Sequence, residues 1–188
     1  GDLLIVGTGQ LSLAVAAAHC AVRGYTSVSI WGRSGEKAAV IASTLGEQGL
    51  PARAVDDLET ACRAADVIST VTASTTPIIQ GDWLKPGSHL DLIGAFKGDM
   101  RESDDQAILQ AEVFVDLRAG ASLAGDLSQP LQAGQITPEH IRADLAELCQ
   151  GTHAGRSDDS ARTVFKSAGM ALQDLAAATM ASDHTILG

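Results

Sequence analysis

A pair of glycines between a short apolar run and an alanine-rich stretch constrains this chain more than any other feature. Leu3-Leu4-Ile5-Val6 reads as a buried strand, Gly7-Thr8-Gly9-Gln10-Leu11-Ser12 follows directly, and Gln10 to Arg23 has the length and composition of a helix. A strand that turns through glycines straight into a helix is the opening of a βαβ unit. There Gly7 permits the tight turn, Gly9 lets a pyrophosphate approach the backbone at the helix N-terminus, and small Ser12 allows the helix to pack closely on the strand. A glycine turn with no ligand is the plainer alternative. The strand and helix order around the turn favours a nucleotide.

The rest of the chain continues this alternation. Strands are expected at Ser27 to Trp31, Ala52 to Val55, Asp66 to Val71, Ser88 to Ile93 and Val113 to Asp116. Helices are expected from Glu36 to Leu45, from a capping box of Asp56 with Glu59 to about Ala65, and from a second box of Ser103 with Gln106 to Ala111. The pattern predicts an α/β fold over residues 1–188, a doubly wound, mostly parallel sheet with helices on both faces. Apolar residues make up 45% of the 188 but aromatic ones only 3%, so the core must be built from Ala, Val, Leu and Ile in one domain of ordinary size. Residues 117–188 are expected to be mainly helical, with a helix opening at Thr137-Pro138-Glu139, a loop from Gly151 to Ser160, and a strand or extended entry at Thr163 leading into a long alanine-rich helix.

Charge and composition remove several classes of function. Lys and Arg total 13 against 23 acids, a formal charge of −10, so nucleic acid and anionic membranes are poor partners. No run of 18 apolar residues occurs, and the chain does not open with a basic flank and cleavage site, so a soluble cytoplasmic protein is the expectation. Cys20, Cys62 and Cys149 form no CxxC and suit a reducing compartment; Cys20 and Cys149 read as small buried helix residues. The histidines (His19, His89, His140, His153, His184) have no ligand partner nearby in sequence, so no metal site is expected. Asp104-Asp105 and Asp158-Asp159 read as capping or solvated acids.

The end of the second strand bears on the nucleotide. Trp31-Gly32-Arg33-Ser34 contains no acid to hold a ribose 2′-hydroxyl; Arg33 reads as a clamp for a 2′-phosphate, with Ser34 as a hydrogen-bonding neighbour. NADP(H) is therefore preferred and NAD(H) kept as the alternative, as is a merely solvated arginine. Thr70, Thr72, Ser74, Thr75 and Thr76 crowd the end of the fourth strand, where an open α/β sheet binds its ligand, although turn chemistry before Pro77 explains the last three equally well. The fifth strand ends in Gly94-Ala95, small enough for close passage of a nicotinamide, followed by charged residues at the rim.

These residues, taken in order, resemble the nucleotide-binding part of the ornithine cyclodeaminase/mu-crystallin family. The likeness rests on Val6 to Gln10, Ile30 to Arg33, Ala65 to Thr72, Gly81-Asp82-Trp83-Leu84-Lys85-Pro86-Gly87, Gly94-Ala95, Asp99 to Glu102, and Thr163-Val164-Phe165-Lys166-Ser167-Ala168-Gly169. It implies a Rossmann domain of a longer protein, with an N-terminal substrate and dimerisation domain outside this chain and a homodimer as the full-length assembly. It also implies that Gly7, Gly9, Gln10, Leu11 and Ser12 hold the pyrophosphate and Arg33 the 2′-phosphate. Thr70, Thr72, Ile93, Gly94 and Ala95 would line the ribose and nicotinamide, with Ser167 near the carboxamide.

The family divides by chemistry. Its ornithine cyclodeaminases carry an aspartate two residues after the equivalent of Gly94, and this chain has Phe96 there. The sequence is more similar to the branch that reduces cyclic ketimines such as Δ1-pyrroline-2-carboxylate or Δ1-piperideine-2-carboxylate with NAD(P)H, which makes a cyclic imino acid the expected partner. Asp99 is the candidate substrate-side carboxylate, with a turn role after Gly98 as its alternative. An amino-acid cyclodeaminase and a non-catalytic, mu-crystallin-like NADP-binding module are the competing readings. The isolated chain is expected to bind cofactor without turnover.

Overall fold

The computed structural model describes residues 1–186, with side chains as far as residue 182. Its strands are β1 (Asp2–Val6), β2 (Ser27–Trp31), β3 (Ala52–Ala54), β4 (Val67–Thr70), β5 (His89–Leu92), β6 (Glu112–Val115), β7 (Ile141–Asp144) and β8 (Thr163–Lys166). The helices are α1 (Leu11–Val22), α2 (Gly35–Glu47), α3 (Leu58–Ala64), α4 (Asp105–Leu109), α5 (Arg118–Ala121), α6 (Gly125–Gln132), α7 (Leu145–Cys149) and α8 (Ala171–Ile186). Every strand pair is parallel, in the order β3-β2-β1-β4-β5-β8-β6-β7.

Parallel strands need covering on both faces, and β1 is apolar on both. Leu4 and Val6 join Ile68, Leu90, Leu92, Val113 and Val164 in a core that also takes in Cys62 of α3, Ile108 of α4 and Leu127 of α6. Leu3 and Ile5 point the other way, into a second core with Val28, Ile30, Ala16 of α1 and Ile41 and Leu45 of α2. β2 and β3 lie to one side of β1, and the chain then returns through α3 to place β4 on the other side. Such a reversal opens a crevice at the carboxyl ends of the two strands beside it.

The strand ends are nearly flush. One register row joins Trp31, Val6, Thr70, Leu92, Lys166, Val115 and Asp144 from β2 to β7. Gly7, Val71, Ile93, Ser167 and Asp116 are thus the first residues past the sheet on their strands.

The second half departs most from expectation. The helix signature at Thr137 gives only a single 3-10 turn, Pro138–His140, before β7. Ile141 and Ala143 are buried while Arg142 between them is exposed, the period of a strand, and pairing with β6 takes precedence over the local helix start. Helix α6 has Gly125 at its start and Pro130 inside it, so nothing in its local propensity announces it. Two caps move by one residue: Asp57, not Asp56, caps α3, and Asp104, not Ser103, caps α4. Cys149 is exposed and Cys20 half-buried, against the expectation of burial; only Cys62 lies in the core, and all three are free. On α8 the apolar side chains Leu172, Leu175 and Met180 are exposed. No helix among the described residues is long and apolar enough to cross a membrane.

Candidate dinucleotide-binding cleft

The turn after β1 is held by the protein on one side and open on the other. Gly7 has φ +132, its amide donates to Trp31 O at 2.9 Å, and a Cβ there would lie 2.9 Å from Val71 O. Both backbone conformation and neighbouring strand therefore demand glycine. Gly9 differs: a Cβ built on it would meet nothing within 4 Å, so the fold itself gives no reason for a glycine here. Ser12 is fully buried, with its Oγ donating to Gly7 O at 2.9 Å, so its hydroxyl serves the turn.

Helix α1 opens on Gln10 with no side-chain cap and no acid in its first turn. The amides of Gly9, Gln10 and Leu11 find no acceptor among the described residues, and all three residues are exposed. Unpaired amides at the positive end of a helix dipole are an anion site in waiting. At the end of β2, Arg33 is exposed and makes no hydrogen bond or ion pair among the described residues. Ser34 caps α2, accepting from Lys37 N at 3.3 Å. A Cβ on Gly32 would lie 2.4 Å from the Thr8 side chain, so this glycine lets the two turns touch.

Across the crevice the ends of β4 and β5 are tied together from beneath. Glu102, fully buried, accepts on Oε1 from Thr72 N (2.7 Å) and Thr72 Oγ1 (2.8 Å), and on Oε2 from Gly94 N (2.7 Å) and Ala95 N (3.1 Å). Burial pushes the Glu102 carboxyl above its usual range, while the bonds from Thr72 and the nearby Lys166 pull it back. The amides of Glu102 and Ser103 donate to Asp126 Oδ1 at 2.9 Å each. Lys166 Nζ lies 3.4 Å from Asp126 Oδ2 and donates to Leu92 O at 2.9 Å; both side chains are completely buried.

Gly94 is needed here for packing. A Cβ on it would sit 2.0 Å from Thr72 O and 2.5 Å from Glu102 Oε1. Thr70 is buried with Oγ1 3.4 Å from Asp91 O, Ile93 N donates to Thr70 O, and Ala95 is buried. Ser167 N donates to Leu92 O at 3.1 Å, and its Oγ to Asp116 Oδ2 at 3.2 Å. Asp116 Oδ2 also accepts from the amides of Ala168 and Gly169, so the loop after β8 hangs from the end of β6. Asp99 is exposed in the loop after β5, and its neighbour Phe96 is 55% exposed at the rim.

The candidate residues thus gather along one edge of the sheet, with the turn and Arg33 on one side of the crevice and Thr70, Thr72, Ile93 to Ala95, Asp99 and Ser167 on the other. Glu102, Asp126, Lys166 and Asp116 carried no candidate role in the sequence reading. The signal for Lys166 was a lone cation ending an otherwise apolar strand.

Two cavities, of about 320 and 580 Å³, lie away from this edge. The first is lined by residues such as Ser29, Arg53 and Thr60, the second by His19, Arg23, His89 and Arg156. In the second cavity His89 Nδ1 is 2.8 Å from Thr163 Oγ1, and burial pushes its imidazole down to about 4. His19 and Asp91 are far apart in sequence and looked unpaired, yet the sheet brings Nε2 to 3.3 Å from Oδ2. Among the described residues no group of three metal-ligating side chains forms.

A parallel, doubly wound sheet with a glycine turn at its switch point and uncapped amides beyond it defines a Rossmann-type α/β domain. The profile of the ornithine cyclodeaminase/mu-crystallin family matches residues 2–187, and the chain belongs to that family. Δ1-Pyrroline-2-carboxylate reductase of Paracoccus denitrificans is 39% identical over 175 residues, covering 92% of this chain and 55% of the relative. Among solved structures, Thermococcus litoralis Δ1-pyrroline-2-carboxylate reductase in complex with NADH and L-proline superposes with a TM-score of 0.94 at 27% identity, over 98% of this chain and 58% of that one. Iminosuccinate reductase of Paracoccus denitrificans in complex with NAD+ gives 0.88 at 29% identity, over 95% of this chain and 54% of that one. The chain spans about half the length of the curated relatives it matches.

Proposed function

We propose that this chain binds NAD(P)H along the carboxyl edge of its sheet and is the cofactor-holding part of a reductase acting on a cyclic 2-imino acid. The observation that carries the reading is Gly9, a glycine the fold does not need, beside three amides that the chain itself leaves without acceptors. A diphosphate fits both: it approaches where a side chain would intrude, and it takes the amides of Gly9, Gln10 and Leu11. Gly7 and Ser12 hold the turn in shape for it. The bound nicotinamide supplies the hydride.

Thr70, Thr72, Ile93, Gly94, Ala95 and Ser167 form the floor that orients the ribose and nicotinamide. Asp99, exposed and without a hydrogen bond among the described residues, serves as the substrate-side carboxylate. Δ1-Pyrroline-2-carboxylate and its six-membered homologue are the proposed substrates, a choice supported by the 39%-identical reductase and the proline-bound relative. The phenyl ring of Phe96 supplies neither acid nor base, which weighs against cyclodeamination.

Arg33 and Ser34 are proposed to favour a 2′-phosphate, although the two solved relatives described above hold NADH and NAD+. Fluorescence titration of the chain with NADPH and NADH tests this. Tighter NADPH binding supports Arg33; equal or tighter NADH binding removes that role and leaves the cofactor as NAD(H). Oxidation of NADPH or NADH by the full-length protein on adding Δ1-pyrroline-2-carboxylate tests the reaction. Absence of turnover with both cyclic imines, together with ammonia release from ornithine, would overturn it.

A further inference from the structure

We propose that Glu102 is a positioning residue that locks the loops after β4 and β5 into one wall for the nicotinamide half of the cofactor. The inference rests on the nucleotide-binding reading above. A carboxylate offers about four lone-pair sites, and Glu102 has all four filled. Two are taken by Thr72 and two by the amides of Gly94 and Ala95. One oxygen therefore fixes the loop leaving β4 and the other the loop leaving β5. A side chain that only neutralised Lys166 would have no need to divide its oxygens in this way.

The rest of the cluster keeps Glu102 in place. Its own amide is bonded to Asp126, and Asp126 is paired with Lys166. Lys166 in turn holds Leu92 O, one residue before the loop that Glu102 ties. The lock is specific to one half of the crevice. Its partners lie past β4 and β5, whereas the diphosphate turn and Arg33 lie past β1 and β2 and make no bond to Glu102. A dinucleotide spans the switch point, so loosening the lock should be felt by the nicotinamide half and not by the ADP half.

Glu102→Gln replaces one acceptor oxygen with an NH2 group that faces backbone amides. Calorimetric titration of wild type and E102Q with NADH and with ADP is the test. The expected result is an NADH affinity at least about tenfold weaker with ADP affinity within about twofold of wild type. Equal NADH affinity in the two proteins overturns the inference and leaves the nucleotide-binding reading standing, whereas failure of the wild type to bind either nucleotide overturns both. A parallel loss of NADH and ADP affinity overturns the positional role in favour of a general structural one. If E102Q does not fold, amide NMR of the wild type decides the matter. The signals of Thr72, Gly94 and Ala95 should shift with NADH and stay fixed with ADP; shifts with both, or with neither, overturn the inference.

Discussion

Gly7 and Gly9 stand two residues apart in the same turn, yet replacing each with alanine should damage different properties. At Gly7 the φ of +132 is one that L side chains rarely adopt, and the new Cβ would lie 2.9 Å from Val71 O, an atom of the adjacent strand. Backbone strain and overpacking each cost about 1–3 kcal/mol, a large part of the total stability of an ordinary domain. Gly9 has no positive φ, and its Cβ would meet nothing within 4 Å. Gly9→Ala should therefore change stability by less than about 1 kcal/mol, with a slight gain from the stiffer unfolded chain. Its methyl group would occupy the approach path of the diphosphate. A loss of about 1–3 kcal/mol in binding corresponds to roughly 5- to 150-fold in Kd. Urea unfolding without nucleotide and fluorescence titration with NADH and NADPH separate the two effects. A Gly9→Ala protein that binds nucleotide like wild type, or that loses several kcal/mol of stability, would refute the division of labour.

Three further outcomes follow from the packing. Gly94→Ala places a Cβ 2.0 Å from Thr72 O, so it should lower the urea midpoint and weaken NADH binding together; a stable variant with intact binding would contradict the close approach. Lys166→Met strands the buried Asp126 carboxylate and should cost about 3–5 kcal/mol, read by chemical denaturation; a cost under 1 kcal/mol would mean the pair is not buried as described. His89 titrates at about 4 in the fold, where burial is the main cause and Arg156 adds to it against the pull of Asp91, and at the ordinary 6.5 unfolded. The unfolded chain therefore binds more protons between these values, so this contribution is complete above pH 6.5 and fades as pH falls toward 4. The loss is about 2 kcal/mol by pH 5, and His89→Gln should flatten that part of the stability profile.

The first half of the fold was legible because its signals are local. β1, its glycine turn and α1 follow one another without a gap, so the spacing of the turn's two glycines could be read even though Gly7's close neighbour, Val71, lies at the end of another strand. The alternation as far as β6 was equally readable, to within a residue or two at the caps. What was not legible depends on partners far away in sequence. β7 is a strand because β6 offers it an edge, although Thr137-Pro138-Glu139 starts like a helix. α6 survives Pro130 because Asp126 and Leu127 are held in the core. Glu102 looked like one more rim charge because its four donors lie 7 to 30 residues away. The turn and Arg33 could be proposed from spacing; the lock beneath β4 and β5 could not, because no spacing rule links Thr72, Gly94, Glu102, Asp126 and Lys166.

The position of β8 has a consequence for how the molecule is made. β6 and β7 reach the rest of the sheet only through β8, which comes last in sequence among the described strands. As the chain leaves the ribosome, the first five strands can assemble among themselves, but β5 and β6 must each wait with an open edge until residues 163–166 appear. At about 5–20 residues per second that wait is on the order of seconds, long enough for two nascent chains to pair edge to edge. Slower translation ahead of residue 163 would lengthen this exposure, and a chaperone that shields β5 and β6 during the interval would raise the yield of native protein more than one acting on the finished chain.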